Sequence, residues 1–363
     1  MKFVSRKAPG TFACDDDGHI HADFGCCSRR GFLGGLAATA GALLPIPALA
    51  QSEKAFRIDT HHHLSSPAFI AAIAARKTGQ VPLMEWTVEK SLADMDKGGV
   101  ATSIVSISEP GVYFGNNEAA RALARECNDF GAKLMTDHPS RFGLFAIVPL
   151  PDIDSTLNEI AYALDTLKAD GICMMSDVQG KFLGDPAFTP VMEELNRRKA
   201  VIFTHPFRNT CCLNMIPGVP DPTLELGFDT TRTIASIVFS GTAHRFPDIK
   251  WIFSHAGGAA PFLMQRFASL YAARKELQER LPHEPAYYME RFYYDTASAS
   301  TAAPLAALTK VVKPTQILFG TDFPFGSSAT VAAGLRATGL FTPAELDSIE
   351  RGNAARIMPN NRT

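Results

Sequence analysis

Eight short apolar runs rich in β-branched residues recur from residue 56 onward, and segments of helical periodicity separate them. This alternation predicts parallel strands joined by helical crossovers. The predicted strands are 56–60, 102–107, 143–148, 171–175, 201–204, 251–254, 292–295 and 316–319, and the predicted helices are 87–97, 117–137, 155–168, 188–198, 230–245, 261–280, 301–311 and 342–357. Eight strand and helix units indicate an α/β fold of the (β/α)₈ barrel type.

An open doubly wound sheet is the alternative architecture. Such sheets usually have fewer strands and often a glycine-rich phosphate-binding turn after the first strand. Here the first run ends in Thr60-His61-His62-His63, and neither common nucleotide-binding glycine motif occurs. The barrel is therefore favoured.

Residues 1–50 differ in composition from the rest of the chain. They contain Ser28-Arg29-Arg30-Gly31-Phe32-Leu33, then a Gly/Ala/Leu run that ends in Ala48-Leu49-Ala50. This pattern predicts a twin-arginine signal peptide over 1–50, which a twin-arginine translocase would recognise, and a barrel domain over 51–363. The protein is then expected in the periplasm or another extracytoplasmic space.

An uncleaved membrane anchor is the alternative interpretation of this leader, but Pro45 and Pro47 interrupt the apolar run. The leader also carries cysteines and histidines whose role is open; they are Cys14, His19, His21, Cys26 and Cys27. No later run of 18 or more apolar residues occurs, so we expect no stable membrane association after processing.

The formal net charge is -2, and basic and acidic residues are interspersed. No basic stripe is available to neutralise phosphates, so a nucleic acid is not an expected partner.

The first predicted strand ends in an H-x-H pattern. Side chains alternate along a strand, so Asp59, His61 and His63 share one face as long as the extended conformation persists, and His62 faces outward against helices. If the shared face points inward, two imidazoles reach the carboxyl-terminal mouth of the barrel. That mouth is where enzymes of this architecture carry their chemistry.

Three further candidate residues each follow an apolar run of their own: His205, His255 and Asp322. Imidazole and carboxylate groups suit Zn²⁺ or Mn²⁺, and no cysteine stands at these strand ends. The sequence therefore predicts a catalytic metal site with an open coordination position. Asp59 and Asp295 are expected to orient imidazoles rather than to bind metal.

These motifs, D-x-H-x-H, T-H-P, S-H-x-G-G and G-T-D-x-P-F, resemble those of the amidohydrolase superfamily. Residues 253–258 and 318–325 resemble its aminocarboxymuconate-semialdehyde decarboxylase branch. The resemblance to the 6-methylsalicylate decarboxylase group is closer still, through residues 61–63, 142–145, 184–188 and 229–234. It covers about residues 55–357.

This resemblance implies metal ligands at His61, His63, His205 and Asp322, with His255 as a nearby catalytic histidine. The fourth predicted strand, 171–175, offers no lysine that could be carboxylated to bridge two metals. We therefore expect one divalent ion, Zn²⁺ or alternatively Mn²⁺. The resemblance also suggests a homodimer.

The expected function is a metal-dependent carboxy-lyase, a decarboxylase of a small aromatic or unsaturated carboxylic acid. In it, Asp322 would deliver a proton to carbon, and His255 would polarise the substrate or move a proton. Hydrolysis of a lactone, ester or amide is the alternative, because the same residues serve a metal-activated water. A third hypothesis is a non-catalytic periplasmic binding protein.

Residues in the predicted loops suggest an aromatic-walled substrate site with one cation. The candidates are Trp86, Phe114, Phe207 and Arg208, and for Arg208 a surface ion pair is an equal alternative. The vicinal pair Cys211-Cys212 lies near His205, and we expect it to have no catalytic part.

Overall fold

Eight parallel strands form the centre of the computed structural model, which describes residues 56–358 and residue 360. They are β1 (Arg57–His63), β2 (Val100–Ser106), β3 (Phe142–Ile147), β4 (Gly171–Met175), β5 (Val201–His205), β6 (Lys250–Phe253), β7 (Tyr293–Asp295) and β8 (Ile317–Leu318). Each strand pairs in parallel with the next along the chain. The predicted signal peptide lies outside the described residues.

Backbone hydrogen bonds join β1 to the segment that directly follows β8. The amide of Thr60 donates to the carbonyl of Phe319 at 2.9 Å, and the amide of His63 donates to the carbonyl of Phe323 at 2.8 Å. These bonds bring the eighth strand back to the first, so the described residues fit the predicted (β/α)₈ barrel.

Helices surround the strands. They are α1 (Pro67–Ala75), α2 (Val81–Met84), α3 (Val88–Lys97), α4 (Asn117–Asp137), α5 (Ile153–Ala161), α6 (Thr189–Arg197), α7 (Pro222–Phe239), α8 (Thr242–Arg245), α9 (Met264–Ala273), α10 (Lys275–Arg280), α11 (Pro285–Met289), α12 (Ala302–Leu308), α13 (Ser328–Ala337), α14 (Pro343–Asp347) and α15 (Asn353–Ile357). A short hairpin, Asp177–Val178 with Lys181–Phe182, follows β4. None of the helices in residues 56–358 has the length and apolar character needed to span a bilayer.

The predicted elements agree with the structure except at a few positions. The predicted helix 230–245 begins earlier, at Pro222, and is interrupted at Gly241, whose φ of 81° is left-handed. The helices α1, α2, α11 and α13 were not predicted. Two of them, α1 and α13, have a local start signal, because the side chains of Ser66 and Ser327 accept hydrogen bonds from the first turn.

The cysteines of the described residues divide into two kinds. Cys127 and Cys173 are buried and free and pack as small hydrophobic side chains, while Cys211 and Cys212 form a disulfide in the loop after β5.

All candidate chemical residues lie at one mouth of the barrel. His63 ends β1, His205 ends β5 and Asp295 ends β7. His255 and Asp322 follow β6 and β8 within a few residues. Because the strands are parallel, their carboxyl ends meet on the same side of the sheet and bring these side chains close together.

Candidate metal centre

Three imidazoles and one carboxylate converge at the mouth of the barrel. His61, His63, His205 and Asp322 are all buried, and each offers a ligand atom within 4.8 Å of the others. The Nε2 atoms of His61 and His63 are 3.2 Å apart. Oδ1 of Asp322 lies 3.2 Å from Nε2 of His61 and 3.1 Å from Nε2 of His63.

The second nitrogen of each ring has a partner outside this cluster. Nδ1 of His61 donates to Oδ2 of Asp295 at 2.8 Å, and Nδ1 of His205 donates to the carbonyl of Pro206 at 2.8 Å. Nδ1 of His63 lies 3.4 Å from Oγ of Ser106. A proton held on Nδ1 leaves the Nε2 lone pair for a metal.

The spacing of the ligand atoms fits one divalent ion. Four ligands at about 2.1 Å around a tetrahedral metal lie about 3.4 Å from one another, close to the separations of 3.1 and 3.2 Å seen here. The donor set of imidazole nitrogens and one carboxylate suits Zn²⁺ or Mn²⁺. These four residues could therefore hold a divalent metal.

The electrostatics of the cluster also favour a cation. Burial lowers the pKa of His61, but Asp295 and Asp322 outweigh burial and raise it to about 10. Burial and the neighbouring histidines hold the pKa of His205 well below its usual value. Burial alone would raise the pKa of Asp322, but His61 and hydrogen bonds from the histidines hold it well below its usual value. Two carboxylates therefore stabilise positive charge at this place, and a divalent cation bound there would replace the charge that the His61 ring otherwise carries.

His255 lies beside the cluster rather than within it. Its Nε2 is 3.4 Å from Oδ2 of Asp322, the oxygen that faces away from His61 and His63. Its amide donates to Oδ1 of Asp295 at 2.9 Å. His255 has a left-handed φ of 57°, and Nδ1 of its ring is buried with no hydrogen-bond partner among the described residues. The side chain is 10% exposed, so the ring can contact a group that enters the site.

A cavity of about 430 Å³ opens on this cluster. Its lining combines the chemical residues His205, His255 and Asp322 with apolar side chains, which include Leu226 and Phe325. Among the described residues that line it, none is lysine or arginine. A negatively charged ligand in this cavity therefore finds its compensating charge at the metal cluster.

The strand β1 is not regularly extended at the site. Its pairing with β2 shifts between Asp59 and His62, so Asp59 does not share a face with His61 and His63 as expected. Instead, Oδ2 of Asp59 lies 3.0 Å from Nδ1 of His62. His62 points outward as predicted, with Nε2 2.7 Å from Oγ of Ser91 in α3.

Two of the predicted substrate contacts lie away from the cavity. Trp86 is 5% exposed, packs against Phe130 in the hydrophobic core and is not among the residues that line the cavity. Phe114 lies under the guanidinium of Arg76, which is 4.1 Å from its ring, and is likewise not part of the cavity lining.

The other two substrate candidates lie at the edge of the mouth. Phe207 lines a second cavity of about 360 Å³ together with Tyr113. Arg208 forms an ion pair with Glu109, its Nε donating to Oε1 at 2.9 Å and to Oε2 at 2.8 Å. The structure therefore shows the ion-pair alternative for Arg208. The partner, Glu109, is buried and lines the cavity of about 430 Å³ at the metal cluster.

Among the polar residues of the cavity that sequence reasoning missed are Ser298 and Glu109. Ser298 follows β7 by three residues, and its Oγ lies 3.4 Å from Oδ2 of Asp322. Glu109 follows β2 in the same way. The rule that strand ends carry the chemistry would have found both, had it been applied to hydroxyl and carboxyl groups as well as to histidine.

The sequence model of the amidohydrolase family matches residues 58–359. The chain belongs to the amidohydrolase family. This family member is 36% identical over 327 residues to the decarboxylase macB of Penicillium terrestre, and the match covers 84% of this chain and 96% of that protein. It is also 36% identical over 288 residues to the 6-methylsalicylic acid decarboxylase acuB of Aspergillus aculeatus, with 74% of this chain and 84% of that protein covered.

A solved structure of a dihydroxybenzoic acid decarboxylase from Polaromonas sp., with bound manganese and the inhibitor 2-nitroresorcinol, superimposes with a TM-score of 0.75. The match covers 85% of this chain and 98% of that chain at 22% identity, so the likeness is one of fold. Together with the relatives, the comparisons show that the protein is an enzyme of this family, and they support the decarboxylase prediction over the hydrolase alternative.

Proposed function

We propose that this enzyme is a metal-dependent decarboxylase of a small aromatic carboxylic acid. The observation that carries the proposal is the division of the Asp322 carboxylate between two surroundings. Oδ1 faces the imidazoles of the cluster, and Oδ2 faces His255 and Ser298 at the cavity wall. One carboxylate can thus belong to the metal site through one oxygen and handle a proton through the other.

The cluster of His61, His63, His205 and Asp322 would hold the ion. When bound, a divalent cation supplies Lewis-acid stabilisation of negative charge on a substrate carboxylate or an adjacent oxygen. The apolar walls, which include Leu226 and Phe325, suit an aromatic ring and exclude water around it. These features support an aromatic acid as the substrate. The 6-methylsalicylic acid named for one of the relatives is a compound of this kind.

The proton transfer is the step that the protein's own residues perform. The side chain of Asp322 is ionised at rest, so Oδ2 first takes up a proton and then delivers this proton to the ring carbon that bears the carboxylate. His255, at 3.4 Å, supplies the proton to Oδ2 or polarises the substrate. The bond from that carbon to the carboxylate then breaks, and its electron pair restores the aromatic ring. Overall, one carboxylate and one proton give one arene and one CO₂.

Several finer features of the enzyme belong to the same proposal. One ion per chain is proposed because β4 carries no lysine, with Zn²⁺ as the ion and Mn²⁺ as the alternative. Exposed apolar side chains, such as Met215 at 68% and Phe262 at 84%, support a homodimer. The twin-arginine pattern of residues 28–33 supports export through the twin-arginine translocase to the periplasm.

The test is a panel of hydroxylated and alkylated benzoic acids, enoic acids and lactones, assayed with the purified protein after loading with Zn²⁺ or Mn²⁺. We expect CO₂ release from at least one aromatic acid, with the matching arene as product and about one metal ion per chain. Asp322→Asn should abolish the release. Proton release from a lactone without CO₂ would favour hydrolysis and contradict the proposal, as would two tightly bound ions.

A further inference from the structure

Asp229 of α7 is a buried carboxylate behind the loop that follows β5. Its side chain is 0% exposed. Oδ2 accepts a hydrogen bond from the amide of Phe207 at 2.9 Å and another from the hydroxyl of Ser176, the residue that follows β4. Oδ1 has no hydrogen-bond partner among the described residues. Both hydrogen bonds of the Asp229 side chain therefore reach Oδ2, and this oxygen faces the loop that follows the metal ligand His205.

The two hydrogen bonds around this loop share one peptide unit. Nδ1 of His205 donates to the carbonyl of Pro206 at 2.8 Å, and the amide of Phe207 donates to Asp229. The carbonyl of residue 206 and the amide of residue 207 belong to the same planar group, so fixing one fixes the other. An unbroken chain of hydrogen bonds thus runs from the carboxylate through the peptide to the imidazole.

We propose that Asp229 is a positioning residue for the metal site, which holds the His205 ring and its Nδ1–H tautomer through the peptide between Pro206 and Phe207. This inference rests on the proposed metal site. Asp295 orients the His61 ring by a direct contact at 2.8 Å. Asp229 would orient the His205 ring in the same way, but through one intervening peptide group. The effect is to keep Nε2 of His205 free of a proton and aimed at the ion.

Burial of the Asp229 carboxylate disfavours its ionised form. Burial raises the pKa of Asp229 to about 6, and the bonds from Ser176 and Phe207 lower it only in part. Asp177 adds to the rise and Arg232 opposes it. Burial of a carboxylate that had no role would only destabilise the folded protein, so the buried position of Asp229 agrees with a specific function.

The rival explanation is that Asp229 merely anchors α7 to the barrel. Thr231, two residues further along the helix, provides a matched control, because its hydroxyl accepts the amide of Ala259 at 2.8 Å and donates to the carbonyl of Gly227 at 2.8 Å. It anchors the loop after β6 in the same manner, but it makes no contact with the peptide that holds His205.

The experiment measures the affinity of the purified protein for Mn²⁺, with circular dichroism as the check of folding, in Asp229→Ala, Asp229→Asn and Thr231→Val. Loss of an outer hydrogen-bond partner lowers metal affinity by about 10- to 100-fold, and we expect Asp229→Ala to fall in this range. Asp229→Asn should restore most of the affinity, because its amide oxygen still accepts both bonds. Thr231→Val should leave the affinity unchanged.

Unchanged Mn²⁺ affinity in folded Asp229→Ala would overturn the inference. So would an Asp229→Asn protein as weak as Asp229→Ala, or an equal loss in Thr231→Val. The metal site itself is tested separately with His205→Ala, which should lose the ion. If His205→Ala bound Mn²⁺ as the unaltered protein does, the proposed site would be wrong, whatever the Asp229 variants showed.

Discussion

Asp295 is the residue whose replacement tests the metal centre most directly. Three donors point at its buried carboxylate: Nδ1 of His61 reaches Oδ2 at 2.8 Å, while the amides of His255 and Ala297 reach Oδ1 at 2.9 and 3.0 Å. In Asp295→Asn, only one of these two positions can be an oxygen. If the oxygen of the new asparagine stays in the position that accepts the amides of His255 and Ala297, the NH₂ group takes the other position and faces the imidazole of His61.

The consequence for His61 is a change of tautomer. Facing an NH₂ group, Nδ1 of the ring must accept, so the proton moves to Nε2, the atom that faces the cluster. Loss of such an outer partner lowers metal affinity by about 10- to 100-fold, which corresponds to about 1.4–2.7 kcal/mol. The same substitution also weakens binding by removing one negative charge near the ion.

The assay is the dissociation constant for Zn²⁺ or Mn²⁺, measured by competition with a chromogenic chelator. Asp59→Asn is the matched control, because Asp59 is equally buried and the ring it contacts is that of His62, at 3.0 Å, which is outside the ligand set. Its Oδ1 accepts the amides of His61 and Thr321 at 3.1 Å, and the oxygen of Asn can keep both of these bonds. Both variants should lose stability, by about 1–3 kcal/mol for a buried donor left unpaired, but only Asp295→Asn should lose metal affinity. Equal affinities in both variants would refute the assignment of Asp295 to His61.

Three further predictions concern His255, Asp229 and the export signal. His255→Ala should keep near-stoichiometric metal and lose at least about a hundredfold in turnover, whereas His205→Ala should lose the metal; metal analysis beside steady-state kinetics separates the two. With the pKa of Asp229 raised to about 6 by burial, against about 3.9 unfolded, the folded state binds more protons between these values. Stability should therefore fall by up to about 3 kcal/mol as the pH rises through this window, and denaturant titrations should show no such contribution in Asp229→Asn. Replacement of Arg29 and Arg30 by lysine should retain the protein in the cytoplasm, and fractionation that still finds it in the periplasm would contradict the export proposal.

The sequence by itself determined the barrel and the positions of its chemistry. Strand and helix periods differ, so the alternating pattern specifies parallel strands, and parallel strands place their carboxyl ends together. His61, His63, His205, His255 and Asp322 could be named for this reason, since each stands where an apolar run ends, whereas the resemblance to the amidohydrolase superfamily singled out the four ligands His61, His63, His205 and Asp322 among them. The structure brings these four side chains together.

Contacts between residues distant in the sequence were decided only by the tertiary structure. Glu109 and Arg208 are 99 positions apart, and no local pattern predicts that they pair. The irregular pairing within β1 turns Asp59 toward His62, because a shift in register overrides the simple alternation of side chains. Trp86 was assigned to the mouth from its loop position, but packing against Phe130 placed it in the core. Local periodicity indicates which face of a helix or strand is apolar. The hydrogen-bond and ion-pair partners of each polar group depend instead on how the helices and strands pack against one another.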